Sequence, residues 1–118
     1  MKVSILTVLL GIMIASCSTF SSLNSNTSIK PNDSFLLGNN AHGKFHVKLK
    51  NVSNHAIDIY LAPTSGGTYS RQTVQANQEI TTSVEKNTAI VIENKSAEYA
   101  SVDLKVTGDL GLAMTYKN

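Results

Sequence analysis

The stretch FHVKLKNVSNHAIDIYL, Phe45 to Leu61, decides the fold class. Phe45, Val47 and Leu49 alternate with His46, Lys48 and Lys50. After a polar break, Ile57, Ile59 and Leu61 alternate with Asp58 and Tyr60. Side chains of a strand point to opposite faces in turn, so a period of two predicts two strands with one apolar face each. For Leu49 and Ile57 to share that face in a hairpin, the loop must hold an odd number of residues. A loop Val52-Ser53-Asn54 meets this, with Asn54 suited to a left-handed backbone. The predicted register sets Leu49 against Ile57, Val47 against Ile59 and Phe45 against Leu61. On the outer face it sets Lys48 against Asp58 and His46 against Tyr60.

The same period runs through the rest of the chain from Ser34. Ala100, Val102, Leu104 and Val106 alternate with polar residues, as do Leu110, Leu112, Met114 and Tyr116 with smaller ones. A loop Thr107-Gly108-Asp109 then predicts a second hairpin, with Leu104 opposite Leu112 and Val102 opposite Met114. Ala89 to Ile92 is apolar on both faces, which predicts a central strand. Turn residues recur at short intervals and no segment has the period of an amphipathic helix. The expected fold is all-β: a small antiparallel β-sandwich of Ig-like or transthyretin-like size, or a small barrel, with about seven to eight short strands. VKLKNVSNHAIDIYL from Val47 also echoes IVIENKSAEYASVDL from Ile90. Either two hairpins are alike by chance or the sandwich has two related halves. In both readings Asn51 and Asn94 are turn formers and not glycan acceptors.

The chain begins differently. Lys2 is followed by an apolar run from Ile5 to Ala15, broken by Thr7 and Gly11, and then by Cys17, the only cysteine of the 118 residues. As a helix that run is ~16 Å long, too short for a membrane span, which needs about 20 residues. It reads as the core of a signal peptide. Ile14-Ala15-Ser16-Cys17 resembles the lipobox of bacterial lipoproteins. The resemblance covers residues 1–17. It implies a diacylglycerol group on Cys17, cleavage just before it, acylation of the new amine, and attachment to the membrane through the lipid. Ser18, where an aspartate favours inner-membrane retention in enterobacterial lipoproteins, implies the outer membrane. No acidic cluster follows Cys17, so the expected side is the periplasmic one. Ser18 to Asp33 is rich in Ser, Thr and Asn. It predicts a flexible tether reaching ~20–25 Å. The expected division is thus 1–16 signal peptide, 17–33 lipidated cysteine and tether, and 34–118 β-domain.

Ten Lys and Arg against eight Asp and Glu give a net charge of +2, without the clustered basic excess that a nucleic-acid partner needs. His42, His46 and His55 show no spacing that converges on a metal, and no serine lies in a nucleophile elbow. Asp58, Glu93, Glu98 and Asp103 read as separate outer-face or turn residues. The expectation is a non-enzymatic protein with no cofactor beyond the covalent lipid and no metal. Its partner would be a protein or another envelope component. The best candidate binding segment is Pro63 to Gln72, which combines Gly66 and Gly67 with Tyr69 and the only arginine, Arg71. Tyr and Arg are enriched at binding hot spots. SGGTYS within it resembles a Ser-Gly-x-x-Tyr stretch of periplasmic lysozyme inhibitors, whose paired cysteines and tryptophan-bearing strand this chain lacks. That resemblance implies the alternative: a small-ligand or glycan-binding module, or an inhibitor of a wall-degrading enzyme.

Overall fold

The computed structural model describes residues 21–118. Residues 1–16, expected to be a signal peptide, and Cys17 lie outside the described residues. Nine strands follow: β1 (Leu23–Ile29), β2 (Asp33–Leu37), β3 (Phe45–Asn51), β4 (Ile57–Pro63), β5 (Tyr69–Val74), β6 (Glu79–Val84), β7 (Thr88–Asn94), β8 (Ala100–Gly108) and β9 (Met114–Tyr116). They form a four-stranded sheet, β1-β8-β3-β6, and a five-stranded sheet, β5-β4-β7-β2-β9. Every pairing is antiparallel. The pairs β4–β5, β3–β6, β2–β7 and β1–β8 are nested, as if one long hairpin were rolled over itself. This is the jelly-roll form of the β-sandwich.

Rolling changes the partners predicted for neighbouring strands. β3 and β4 lie in different sheets, and their connection is an arch between the layers. Leu49 is paired with Leu104 and Ile80, and Val47 with Val106 and Thr82. Lys48 stands opposite Lys105 and Thr81, and Asp58 opposite Glu93 and Thr73. The expected hairpin is therefore corrected, although Leu49 and Ile57 do both face the core. Face parity is satisfied by an arch as well as by a hairpin. Asn54 has no positive φ; Asn32, Asn77 and Asn87 do. The second expected hairpin fails for the same reason. β8 pairs with β1 and β3, while β9 crosses over to pair with β2. Met114 and Tyr116 are 42% and 48% exposed, not core.

The central position of β7 is as expected: Ile90 and Ile92 join the core, while Ala89 and Val91 lie on its other face. The segment read as tether needs correction. Leu23–Ile29 is a strand paired with β8 along its full length, from Leu23↔Val106 to Ile29↔Ala100. Its composition is polar because it is an edge strand, with Asn24, Asn26 and Ser28 exposed. Ladder hydrogen bonds and the buried Ile29 offset the ordering cost that composition alone suggested.

Phe45, Val47 and Leu49 are completely buried from β3, as are Val102 from β8 and Leu37 from β2. Burial of each such side chain contributes about 1.5–3 kcal/mol. Two arches close this core at one end, and they share a hydrogen-bond scheme. Asn51 Oδ1 accepts from Ser53 N at 3.0 Å and its Nδ2 donates to His55 O at 2.8 Å. Asn94 Oδ1 accepts from Ser96 N at 3.1 Å and its Nδ2 donates to Glu98 O at 2.7 Å. The echo between the two segments thus corresponds to two alike arches, one leaving each sheet. Both asparagines are fully buried, so the turn-forming role is the one they fill. Among the described residues no buried side-chain nitrogen or oxygen lacks a partner.

Candidate functional site

The charged chemistry of the five-stranded sheet gathers on its outer face, and a bulge in β5 brings it about. Tyr69 pairs with Leu61 and Gln72 with Ile59, so Ser70 and Arg71 together oppose Tyr60. Ser70 takes up the extra residue with φ 56. A bulge re-aims the side chain beside it. Here the Arg71 guanidinium carbon lies 4.3 Å from the centre of the Tyr60 ring, in cation–π range.

Arg71 Nη1 also contacts Asp58 Oδ2 at 3.2 Å and Glu93 Oε1 at 3.0 Å. Lys95 Nζ approaches the same two oxygens at 3.1 and 3.6 Å. Thr73 Oγ1 donates to Asp58 Oδ1 at 3.0 Å. Asp58 and Glu93, expected to be separate, are direct cross-strand neighbours. Like charges so placed repel, and the two cations between them cancel that repulsion. Burial pushes the Asp58 carboxyl up, but hydrogen bonds from Lys95, Thr73 and Arg71 and the Lys95 charge outweigh it and hold it below the usual carboxylate range. Hydrogen bonding to Glu93 raises Arg71, and hydrogen bonding to Asp58 raises Lys95. Asp58 therefore stays ionised at neutral pH.

A carboxylate held low in the folded state adds stability above its unfolded value, and that stability is lost as pH falls through the folded one. Asp109 behaves alike, lowered by the backbone amides of Gly43 and Gly111. The urea midpoint is thus expected to fall as pH drops below about 4, and more gently in Asp58→Asn than in the natural chain. Equal slopes for the two proteins would contradict this account of the cluster.

The other members of the expected binding segment do not join Arg71. Gly66 and Gly67 sit at the tip of the β4–β5 loop with φ +115 and +77, and nothing lies within 4 Å of a Cβ added at either. They serve the turn, which Gly66 N closes onto Pro63 O at 3.0 Å. Tyr69 is 43% exposed at the start of β5. The histidines are kept apart by separate structural contacts. His42 Nε2 lies 2.7 Å from Thr88 O, fastening the β2–β3 loop to β7. His46 Nδ1 lies 3.0 Å from Ser83 Oγ on the outer face of the four-stranded sheet. His55 Nε2 lies 2.9 Å from Ser96 Oγ, linking the two arches. Among the described residues no three His, Cys, Asp or Glu gather in metal-binding reach.

Alternation along β4 already showed that Asp58 and Tyr60 point outward. That Glu93 and Lys95 stand beside them could be read only from the strand order.

The fold and this salt-bridged face define a small jelly-roll sandwich. No protein-family model matches the chain, and no curated protein does. Among solved structures it is similar to procruciferin, an 11S globulin from Brassica napus, at 13% identity and a TM-score of 0.53. That match covers 80% of this chain but 22% of the globulin, so the chain spans under a quarter of that protein. It is also similar to the Yersinia pseudotuberculosis-derived mitogen, at 14% identity and a TM-score of 0.51, over 79% of this chain and 94% of the mitogen. At such identities the likeness is one of fold.

Proposed function

We propose that this chain is a lipid-anchored, non-enzymatic binding module of the bacterial cell envelope, held at the periplasmic face of the outer membrane. The observation that carries the reading is Ile14-Ala15-Ser16-Cys17 at the end of a short apolar run. Two or three acyl chains on one cysteine give stable attachment where a single chain is marginal. Because β1 begins at Leu23, the connection from Cys17 reaches at most about 20 Å when extended. The domain would then stand close to the lipid.

The strand order supports an orientation. Leu23 pairs with Val106, which pairs in turn with Val47. At that end of the sandwich the loops are joined by Asn87 N donating to His42 O and Thr64 N donating to Asn87 O. The Gly66–Gly67 tip therefore belongs to the anchored end. The partner contact is better assigned to the Tyr60–Arg71 face than to the loop tip. There the arginine is already desolvated on one side and held by two carboxylates, so little ordering entropy remains to be lost on binding.

The anchor is tested by metabolic labelling with palmitate. The natural chain is expected to take up label and partition into detergent; Cys17→Ser is expected to do neither. Label retained in Cys17→Ser, or absent from the natural chain, would overturn the anchoring. The contact is tested by crosslinking in intact envelopes, where Arg71→Ala should weaken partner capture about tenfold and Ser65→Ala, an exposed change in the loop tip, should leave it unchanged.

A further inference from the structure

At the end away from Leu23, the edges of the two sheets leave a cleft of about 310 Å³ lined by Ser28, Lys30, Asp33, Tyr99, Tyr116 and Asn118. Only seven aromatic residues exist in the chain, four of them tyrosines, and two of those four meet here. Tyr99 is 64% exposed, the most exposed of the large apolar side chains among the described residues. It belongs to the β7–β8 arch that Asn94 pins through Glu98 O. Tyr116 is held from both ends. Its ring meets Phe35 edge-on at 5.4 Å, and its hydroxyl donates to Ser28 O at 2.7 Å, joining β9 to β1 across the sheet edges. The Tyr116 ring is thus positioned before any ligand arrives.

The third feature is a buried acid. Asp33 is only 4% exposed, and its Oδ1 accepts from Ser34 N at 2.7 Å and Asn118 N at 3.0 Å. Its Oδ2 is the accessible oxygen: it accepts no hydrogen bond from a described residue, and the side chain lines the cleft. Lys30, at the rim, makes no ion pair with a described residue.

We infer that this cleft is a binding site for a neutral saccharide. The lining is complementary to such a ligand and to no simpler one. An anion would meet Asp33 and a cation would meet Lys30. An apolar ligand would cover Asp33 Oδ2 and the Lys30 ammonium without offering either a hydrogen bond, which is costly. A sugar presents an apolar C–H face for the tyrosine rings and hydroxyls that both donate and accept. One hydroxyl can donate to Asp33 Oδ2 while another accepts from Lys30 Nζ. The volume sits at the lower end of the range for small-molecule sites, about 300–1,000 Å³. This site gives the glycan-binding alternative a location, and it rests neither on the lipid anchor nor on the Tyr60–Arg71 face.

The test is a titration of the detergent-solubilised full chain with triacetylchitotriose and, separately, cellotriose, followed by the NMR signals of the four tyrosine rings. Shifts are expected at Tyr99 and Tyr116 and not at Tyr60 or Tyr69, with at least one of the two sugars. Tyr99→Ala, an exposed change that leaves the core intact, is expected to weaken that binding about tenfold. No shift with either sugar, shifts confined to Tyr60 and Tyr69, or undiminished affinity in Tyr99→Ala would each overturn the assignment.

Discussion

Replacing Asn94 by alanine is expected to lower the unfolding free energy by about 4 kcal/mol, a large share of the about 5–15 kcal/mol available to a domain. The side chain is fully buried, and the two hydrogens of Nδ2 are divided among three carbonyls, Ile29 and Lys30 at 3.1 Å and Glu98 at 2.7 Å. It thereby ties the end of β1 to the β7–β8 arch. Its Oδ1 accepts from Ser96 N and lies 3.3 Å from His55 Nε2. Alanine leaves several of these groups without partners, and each buried orphan costs about 1–3 kcal/mol. Water can reach those near the surface, which keeps the total below the sum. Asn94→Asp is the informative control. It keeps the volume but offers a carboxylate to three carbonyl oxygens, so its loss should be at least as large at neutral pH. Asn51→Ala, which removes Nδ2 bonds to His55 O and Val74 O, should cost somewhat less. Urea unfolding measures all three; a loss under about 1 kcal/mol for Asn94→Ala would contradict the role given to the arch. Because His55 touches both arches, the double variant Asn51→Ala/Asn94→Ala should depart from additivity.

Phe45→Ala is expected to cost about 3–5 kcal/mol, the range for removing a fully buried aromatic side chain. Phe45 has no exposed surface and lies at the head of β3, between Val84 and Gly108 in the ladders. Its ring meets His42 edge-on at 5.0 Å and lies under Gly38, where an added Cβ would come within 3.1 Å of it. The surroundings cannot close over the cavity freely. His42 is fixed by its contacts with Thr88, and Gly108 holds φ +95 with its α-carbon site closed in by Lys44 O and Phe45. Calorimetry or urea unfolding reads the effect. A loss near that of Tyr69→Ala, an exposed change expected to stay within about 0.5 kcal/mol, would show that the site collapses more easily than its contacts imply.

Much of the fold was legible in the alternation alone. Phe45, Val47, Leu49, Ile57, Ile59, Val102 and Leu104 are all core residues, as the period of two requires. The strand pairing was not legible, and the miss has one cause. Face parity constrains which side of a strand is buried, but a hairpin and an inter-sheet arch obey the same parity. The sequence signal that separates them here is Asn-x-Ser at Asn51 and Asn94, where a buried amide replaces a surface turn. For β1, composition misled: Asn24, Asn26 and Ser28 face solvent on an edge strand, so the segment looks like a linker while it is paired throughout.

The candidate site divides in the same way. Arg71 and Tyr69 stood out by type, yet only the bulge at Ser70 sets Arg71 over Tyr60 and away from the loop tip. The sequence by itself determined the β class and the inward residues, because each depends on local spacing along the chain. Tertiary structure alone decided the rolled strand order, the Asp58–Arg71–Glu93–Lys95 cluster and the Tyr99–Tyr116 cleft. These join residues distant in sequence, from Ser28 to Asn118 in the cleft, and local spacing holds no record of which strand edges meet.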